Sequence, residues 1–346
     1  MQEAIYLNLS KFYEVLSKKN FNKYLQEIIG TSHSKHEYLR TKNYKLGLLF
    51  YNKILRPGYS EGLKSIAFQE KIILPEYAHT YYKKLWKNEN LKNKTLFVFN
   101  YWCGFGDFIQ YARYIPLLKT RTKHLILEVD ENLLDLYKFN FPYCEIIKNE
   151  FKEFKGYDYT YHHELFLNFQ KDLNTFPHPE GYLKVNPDLI FKYSKIINSN
   201  KKKVGIFWKS ISKGDRLRSM SNKDIIPIIA NNNIQFYSLT KETPDEETKT
   251  LLDKYNVISC APYIQNAHDT AAIMKNLDLV ISTDSFPIHL AGALGVKAYL
   301  MLPCDCDWRW FNDTKTTPWY DSVTIFKQVK QNDWQNVVYD ISLELL

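Results

Sequence analysis

Short apolar runs, each closed by a polar or glycine-containing turn, recur through most of this chain. The first is Thr95-Leu96-Phe97-Val98-Phe99, followed by Trp102-Cys103-Gly104-Phe105-Gly106-Asp107. A short continuous apolar run fits a strand buried on both faces, as in a parallel sheet. A helix-patterned segment follows at residues 108–119. Next come a predicted strand at 125–129, a helix at 132–139 and a short strand at 144–147. Strands alternating with helices predict a parallel α/β sheet.

A second, longer alternation starts at Lys203. It predicts strands at 204–208, 235–239, 257–259, 279–281, 298–302 and 323–326. The helices between them fall at 223–230, 246–254, 270–275 and 287–294, and an amphipathic helix at 333–346 ends the chain. The densest part is residues 278–320. There Leu279-Val280-Ile281 stops at Ser282-Thr283-Asp284-Ser285, a small-residue helix runs to Leu294, and Gly295 separates it from the next apolar run. Such a turn lies at the carboxyl end of a strand and the start of a helix. Open α/β sheets bind ligands there, and free backbone N–H groups favour anions.

The patterning divides the chain. Residues 1–93 read as a charged helical region, with Leu7, Phe12, Val15 and Leu16 on one face. Within it, segments 45–55 and 62–71 flank Pro57-Gly58 as a helix–turn–helix. Residues 94–195 form a first Rossmann-like domain and 196–330 a second. Residues 170–200 are polar and carry Pro177, Pro179 and Pro187, as a linker does. The terminal helix, 331–346, is expected to pack back on the first half. The fold class is therefore α/β, with two Rossmann-like domains facing across a cleft and a helical N-terminal extension.

The length, 346 residues, suits more than one domain. A formal charge of +8 suits an anionic ligand, a nucleic acid or an anionic membrane surface, without choosing among them. The five cysteines form no CxxC pair, and Cys304-Asp305-Cys306 is too tight for a zinc knuckle. Reduced thiols and a cytoplasmic location are expected. The first twenty residues lack the uninterrupted apolar core of a signal peptide. No stretch approaches the ~18 apolar residues of a membrane span.

Four blocks, in order, resemble the glycosyltransferases related to family 9 heptosyltransferases, which have the GT-B fold. The closest likeness is to the domain that often follows tetratricopeptide repeats in bacterial proteins. The blocks are WKNENLKNKTLFVFNYWCGFGDFIQYARY from Trp86, VGIFWKSISKGDRLRS from Val204, FYSLTK from Phe236 with HDTAAIMKNLDLV from His268, and the segment from Asp278 through Gln328, with DWRW and TPWY. Together they cover roughly residues 86–346. Residues 46–71 look like one degenerate tetratricopeptide unit. The chain departs from the family at Trp102, where an acidic residue is usual, and at Cys103, Ser285 and Thr240.

The resemblance implies transfer of a sugar from a nucleotide-diphosphate donor, with inversion and without a metal or cofactor. The expected acceptor is a glycan or glycolipid of a surface polysaccharide, with peripheral contact to an anionic inner membrane. Protein or nucleic-acid glycosylation, and a non-catalytic nucleotide-binding or scaffold module, are the alternatives; nucleic acid is the less favoured partner.

The residues carry matching chemistry. Asp107 opens a helix and suits either an N-cap or a general base, and related enzymes place a proposed base at this Gly-Asp. Gly104 and Gly106 permit close backbone approach, and Gln110 and Arg113 extend the same region as acceptor contacts. For the donor, Arg216 and Arg218 offer forks that match phosphate, with Lys213 beside them. Arg218 stands where heptosyltransferases place a phosphate-binding lysine. Ser238, Leu239 and Lys241 end a strand where base and ribose would lie. Asp269 and Thr270 open the next helix, with capping as the competing role. Asp284, Ser285 and His289 are the candidate diphosphate turn. Asp305-Cys306-Asp307 is set aside as a metal motif. The tryptophans at 308, 310 and 319 read as core, and DWRW can bring Arg309 to the cleft.

Overall fold

The computed structural model describes residues 86, 89–99, 104–148, 158–170, 176–209, 218–304, 306, 308–310, 315–330 and 332–346. The helical face and the tetratricopeptide-like unit expected in the first 85 residues lie outside these, as do Trp102, Cys103, Lys213, Arg216, Asp305 and Asp307. The chain divides into Met1–Ala78 and His79–Leu346, and the second unit holds everything described below.

Two sheets form, as the two alternations require. The first has β1 (Leu91–Phe99), β2 (Thr122–Val129), β3 (Glu145–Lys148) and β4 (Asp158–Tyr161) in the order β3-β2-β1-β4, all parallel. Its helices are α1 (Phe105–Tyr111), α2 (Ile115–Leu118), α3 (Leu134–Asn140) and α4 (His162–Phe169). The single helix expected over 108–119 is interrupted by a 3₁₀ turn at Ala112–Tyr114. Pro116 then sits in the first turn of α2, where a missing N–H costs nothing. Strand β4 and helix α4 had no apolar run to announce them; β4 reads only Asp-Tyr-Thr-Tyr and is held by pairing to β1.

The second half begins with α5 (Pro187–Ser194). Strands β5 (Lys202–Phe207), β6 (Ile234–Ser238), β7 (Ile258–Ser259), β8 (Leu279–Thr283), β9 (Ala298–Leu302), β10 (Thr316–Thr317) and β11 (Tyr320–Lys327) follow. They are ordered β10-β11-β9-β8-β5-β6-β7, parallel except for the β10–β11 pair. The interleaved helices are α6 (Asn222–Ile229), α7 (Glu246–Lys254), α8 (Ala267–Met274) and α9 (Phe286–Ala293), and α10 (Gln335–Glu344) closes the chain.

Contrary to expectation, helix α10 packs on the second half. Val337, Val338, Ile341 and Leu345 join Val204, Ile206, Ile225 and Met301 in the core of the second half. The start of the helix is tied to the end of β11: Asn336 donates back to the Lys327 carbonyl at 2.9 Å.

The linker is also tied down. Tyr182 and Leu183 donate backbone bonds to the Ala293 carbonyl at 2.8 and 2.9 Å, at the end of α9. Gly181 (φ +129°) and Gly295 (φ +65°) meet there, and a Cβ on Gly181 would lie 2.9 Å from the Gly295 nitrogen. Both positions therefore need glycine, for backbone conformation and for the approach of the two chains.

Among the described residues, no helix is long and apolar enough to cross a membrane. Cys144, Cys260, Cys304 and Cys306 are free thiols. Burial pushes Cys144 and Cys260 up to about 12, so neither is a nucleophile at neutral pH.

Candidate functional site

The sheet orders locate the site. In the second sheet the chain runs outward from β5 to β6 and β7, then returns to build β8, β9 and β11 on the other side. The switch point is therefore between β5 and β8. In the first sheet it is between β1 and β4. Ligands of open α/β sheets bind outside the carboxyl ends of strands at such points. Helices α1 and α9 start there, after β1 and β8, and they meet each other.

Contact between the two helices is direct. A Cβ on Gly106 would lie 2.7 Å from His289 Cδ2, so any side chain there would displace the imidazole. Phe105 packs edge-on against Phe286, with centroids 5.8 Å apart. Asp107 is not the N-cap of α1, which is Gly104; it is the third helical residue, and its Oδ2 reaches back to accept from the Gly104 N–H at 2.8 Å. Ser285 is the N-cap of α9 in extended backbone, yet its hydroxyl does not cap the helix. It is left for another partner.

A charged cluster fills this junction. Asp107 Oδ1 pairs with Arg309 Nη1 at 2.5 Å; the two side chains are only 14% and 11% exposed. Arg309 comes from the 3₁₀ turn Trp308–Trp310 of the second half, and its carbonyl accepts from Trp319 Nε1 at 2.9 Å. Arg218 Nη1 donates to the Asp284 carbonyl at 3.2 Å and lies 3.5 Å from its Oδ2. Asp284 Oδ1 is 3.9 Å from His289 Nε2. His289 Nδ1 is 3.0 Å from the Tyr320 hydroxyl, and its ring stacks on Trp310 at 5.1 Å.

Burial, aided by the positive field of Arg309, lowers the His289 pKa to about 3; Asp107 opposes the shift only in part. The imidazole is thus neutral at physiological pH. Burial likewise raises Tyr320, which keeps its proton. Its hydroxyl can therefore donate to Nδ1, leaving the ring proton on Nε2, toward Asp284. The junction holds two carboxylates, two guanidiniums and one neutral imidazole.

The other expected site residues fall into different places. Arg113 is fully buried. It donates to the carbonyls of Gln110 (3.1 Å), Pro177 (3.3 Å) and Trp319 (2.8 Å), and its guanidinium lies over the rings of Tyr182, Trp319 and Tyr320. It ties the first half, the linker and the second half together, a position that leaves no room for an acceptor. Gln110 is fully buried too, with neither amide atom hydrogen-bonded among the described residues. Ser238 and Leu239 are buried at the end of β6. Lys241 reaches across to the Asn132 Oδ1 at 2.5 Å and to the Gln265 carbonyl at 2.8 Å, bridging the halves.

Asp269 is consumed by its own turn. It accepts from the N–H groups of Gln265 (2.9 Å) and Asn266 (3.2 Å) and from the Tyr193 hydroxyl (2.6 Å). Thr270 Oγ1 donates to the Asn266 carbonyl at 3.4 Å. Gly104 and Gly106 lie at the junction as expected; Lys213 and Arg216 are outside the described residues. The residue that sequence reasoning underused is Arg309. Its only signal was an arginine set between two tryptophans, in a motif that reads first as core.

No protein-family model matches the sequence. The chain is 24% identical over 276 residues to protein FlbA of Caulobacter vibrioides; the match covers 72% of this chain but 46% of that protein. The chain thus spans about half the length of the curated relative it matches. The fold resembles that of a glycosyl transferase family 9 structure from Veillonella parvula, with a TM-score of 0.54 and 13% identity, over 74% of this chain and 90% of that one. It resembles the E. coli ADP-heptose LPS heptosyltransferase II equally well, with a TM-score of 0.54 and 13% identity, over 73% and 97% of the two chains. Two Rossmann-like sheets with apposed switch points, matched along nearly the whole of these structures, are the GT-B fold.

Proposed function

We propose that this protein is a glycosyltransferase that moves a sugar from a nucleotide-diphosphate donor to a hydroxyl of a glycan or glycolipid, with inversion and without a metal. One observation carries the reading: a carboxylate at the first switch point meets a guanidinium of the second half, with a second guanidinium at the turn after β8 beside them. Displacement of a diphosphate needs those two functions on opposite sides of the sugar. The similarity of fold to structures named as family 9 enzymes and as a heptosyltransferase supports it further.

In this reading Arg218, Arg309, the Ser285 hydroxyl and the start of α9 hold the diphosphate. Asp107 takes the proton of the acceptor hydroxyl. The hydroxyl oxygen then bonds to the anomeric carbon as the bond to the diphosphate oxygen breaks, and the diphosphate leaves with that electron pair. Side-chain charge stabilises the leaving group in a site shielded from water. A glycolipid acceptor and the net charge of +8 fit cytoplasmic action at an anionic membrane surface.

The test is a panel of ADP-, UDP- and GDP-sugars, heptose donors included, scored for release of the nucleoside diphosphate with and without chelator. Absence of both nucleotide binding and donor cleavage overturns the reading. A second reading, a nucleotide-binding module without catalysis, is favoured by the double engagement of the Asp107 carboxylate. Binding of a nucleoside diphosphate without cleavage of any donor, with or without acceptor extracts, would select it.

A further inference from the structure

We propose that Arg309 is a donor-sensing latch on Asp107. With no donor present it holds the carboxylate; the donor diphosphate draws the guanidinium away and frees Oδ1 for the acceptor hydroxyl. The inference rests on the glycosyltransferase reading above and specifies how that site is controlled.

The argument starts from a conflict. Asp107 Oδ2 accepts a backbone N–H and Oδ1 is paired to Arg309. Both carboxylate oxygens are thus engaged, and an acceptor hydroxyl must displace a partner to reach Oδ1. A base held in this way is obstructed. The backbone bond is part of helix α1 and stays; the guanidinium is the movable partner.

Arg309 is suited to move at its tip alone. Its backbone is fixed by the Trp319 bond at 2.9 Å, and its neighbour Trp310 is buried against the His289 ring. A change of side-chain rotamer needs no backbone rearrangement.

The destination is close. His289 lies between the two arginines' contacts: its ring stacks on Trp310, beside Arg309, and its Nε2 is 3.9 Å from Asp284, which meets Arg218. Each guanidinium is engaged by one carboxylate, Asp107 or Asp284. A diphosphate carries more charge than a carboxylate and presents several oxygens to a guanidinium fork. Placed between the two arginines, it competes with both carboxylates. Donor binding therefore draws Arg309 off Oδ1, and an acceptor that arrives first meets an occupied carboxylate.

Inorganic pyrophosphate is the probe, titrated calorimetrically into the full chain. If the latch operates, Asp107→Asn, which removes the competitor, binds pyrophosphate about 10-fold more tightly than the wild type, and Arg309→Gln binds it ~10–100-fold more weakly, the range of a charge-assisted bond. The gain from Asp107→Asn disappears in the Arg309→Gln background. A gain that persists there is a general charge effect and overturns the latch, as does no gain at all.

Failure of the wider reading is visible separately. If Arg218→Ala weakens pyrophosphate binding while Asp107→Asn changes nothing, only the latch falls. If the wild type binds neither pyrophosphate nor ADP, UDP or GDP, both fall. Should Arg309→Gln not fold, Arg309→Lys takes its place in the double variant, since a single-point ammonium cannot reproduce the fork. Asp107→Asn remains decisive because a damaged fold does not yield tighter binding.

Discussion

Helices α8 and α9 begin with the same ingredients and resolve them differently. Each opens after a turn of the second sheet, with an aspartate and a histidine close to its first residues. At α8 the turn closes on itself. The Asn266 side chain accepts from the N–H groups of His268 and Asp269, and Asp269 accepts from Gln265, Asn266 and Tyr193. At α9 the Ser285 hydroxyl caps nothing, Asp284 meets Arg218 and His289 at 3.5 and 3.9 Å, and the first half of the molecule presses against the ring. Short, saturated bonds mark a turn built for stability. At a switch point, long pairs and a hydroxyl that does not cap are what the proposed donor site requires.

That contrast can be broken by substitution. The largest effect of a substitution is expected from Asp269→Ala, which strands the Gln265 and Asn266 N–H groups and leaves the Tyr193 hydroxyl only the Tyr263 carbonyl. It should lower stability by about 3 kcal/mol in urea titration, with nucleotide affinity per folded molecule unchanged. Equal loss of affinity and stability would mean that the α8 turn also belongs to the site.

The pH dependence of stability comes next. The unfolded imidazole of His289 binds a proton near pH 6.5, and the folded one only near pH 3. Between those values the unfolded state holds more protons, so stability falls as pH falls, by up to about 1.4 kcal/mol per unit. His289→Gln should flatten the slope of urea midpoints between pH 6.5 and 4. An unchanged slope would show that the imidazole is not held neutral.

A smaller effect is expected at the ligand-facing turn. Arg218→Ala should leave stability within ~0.5 kcal/mol, because its pair with Asp284 is loose and the guanidinium is 38% exposed. It should weaken nucleoside diphosphate binding ~10–100-fold, the worth of a charged hydrogen bond. The smallest difference compares the two N-caps. Asn266→Ala should cost about 1 kcal/mol, as a working cap does. Ser285→Ala should cost almost nothing in stability, since its hydroxyl does not cap the helix.

Most of the fold was legible. Short continuous apolar runs such as residues 279–281 and Ala298–Leu302 fit strands covered on both faces, and they are fully buried. The elements that escaped had no such signal: β4 reads Asp-Tyr-Thr-Tyr, without an aliphatic residue, and α5 lies in a polar stretch read as linker. The expected packing of α10 on the first half failed for a related reason. An amphipathic face shows that a helix is buried, not against what; here it joins the core of the second half, tied to the end of β11.

The candidate site was legible only in part. Asp107, Asp284, Ser285, His289 and Arg218 stand out because each follows a strand at a turn, and local sequence determines that placement. Whether a side chain is then spent on its own turn depends on neighbours far along the chain. Tyr193 decides it for Asp269, Asn132 for Lys241, and the rings of Tyr182, Trp319 and Tyr320 for Arg113. The sequence by itself determined two parallel α/β sheets and the turns that end their strands, because burial on both faces and helix capping are local properties. Only the tertiary structure decided that Arg309 meets Asp107, because that pair joins two halves whose apposition no local pattern encodes.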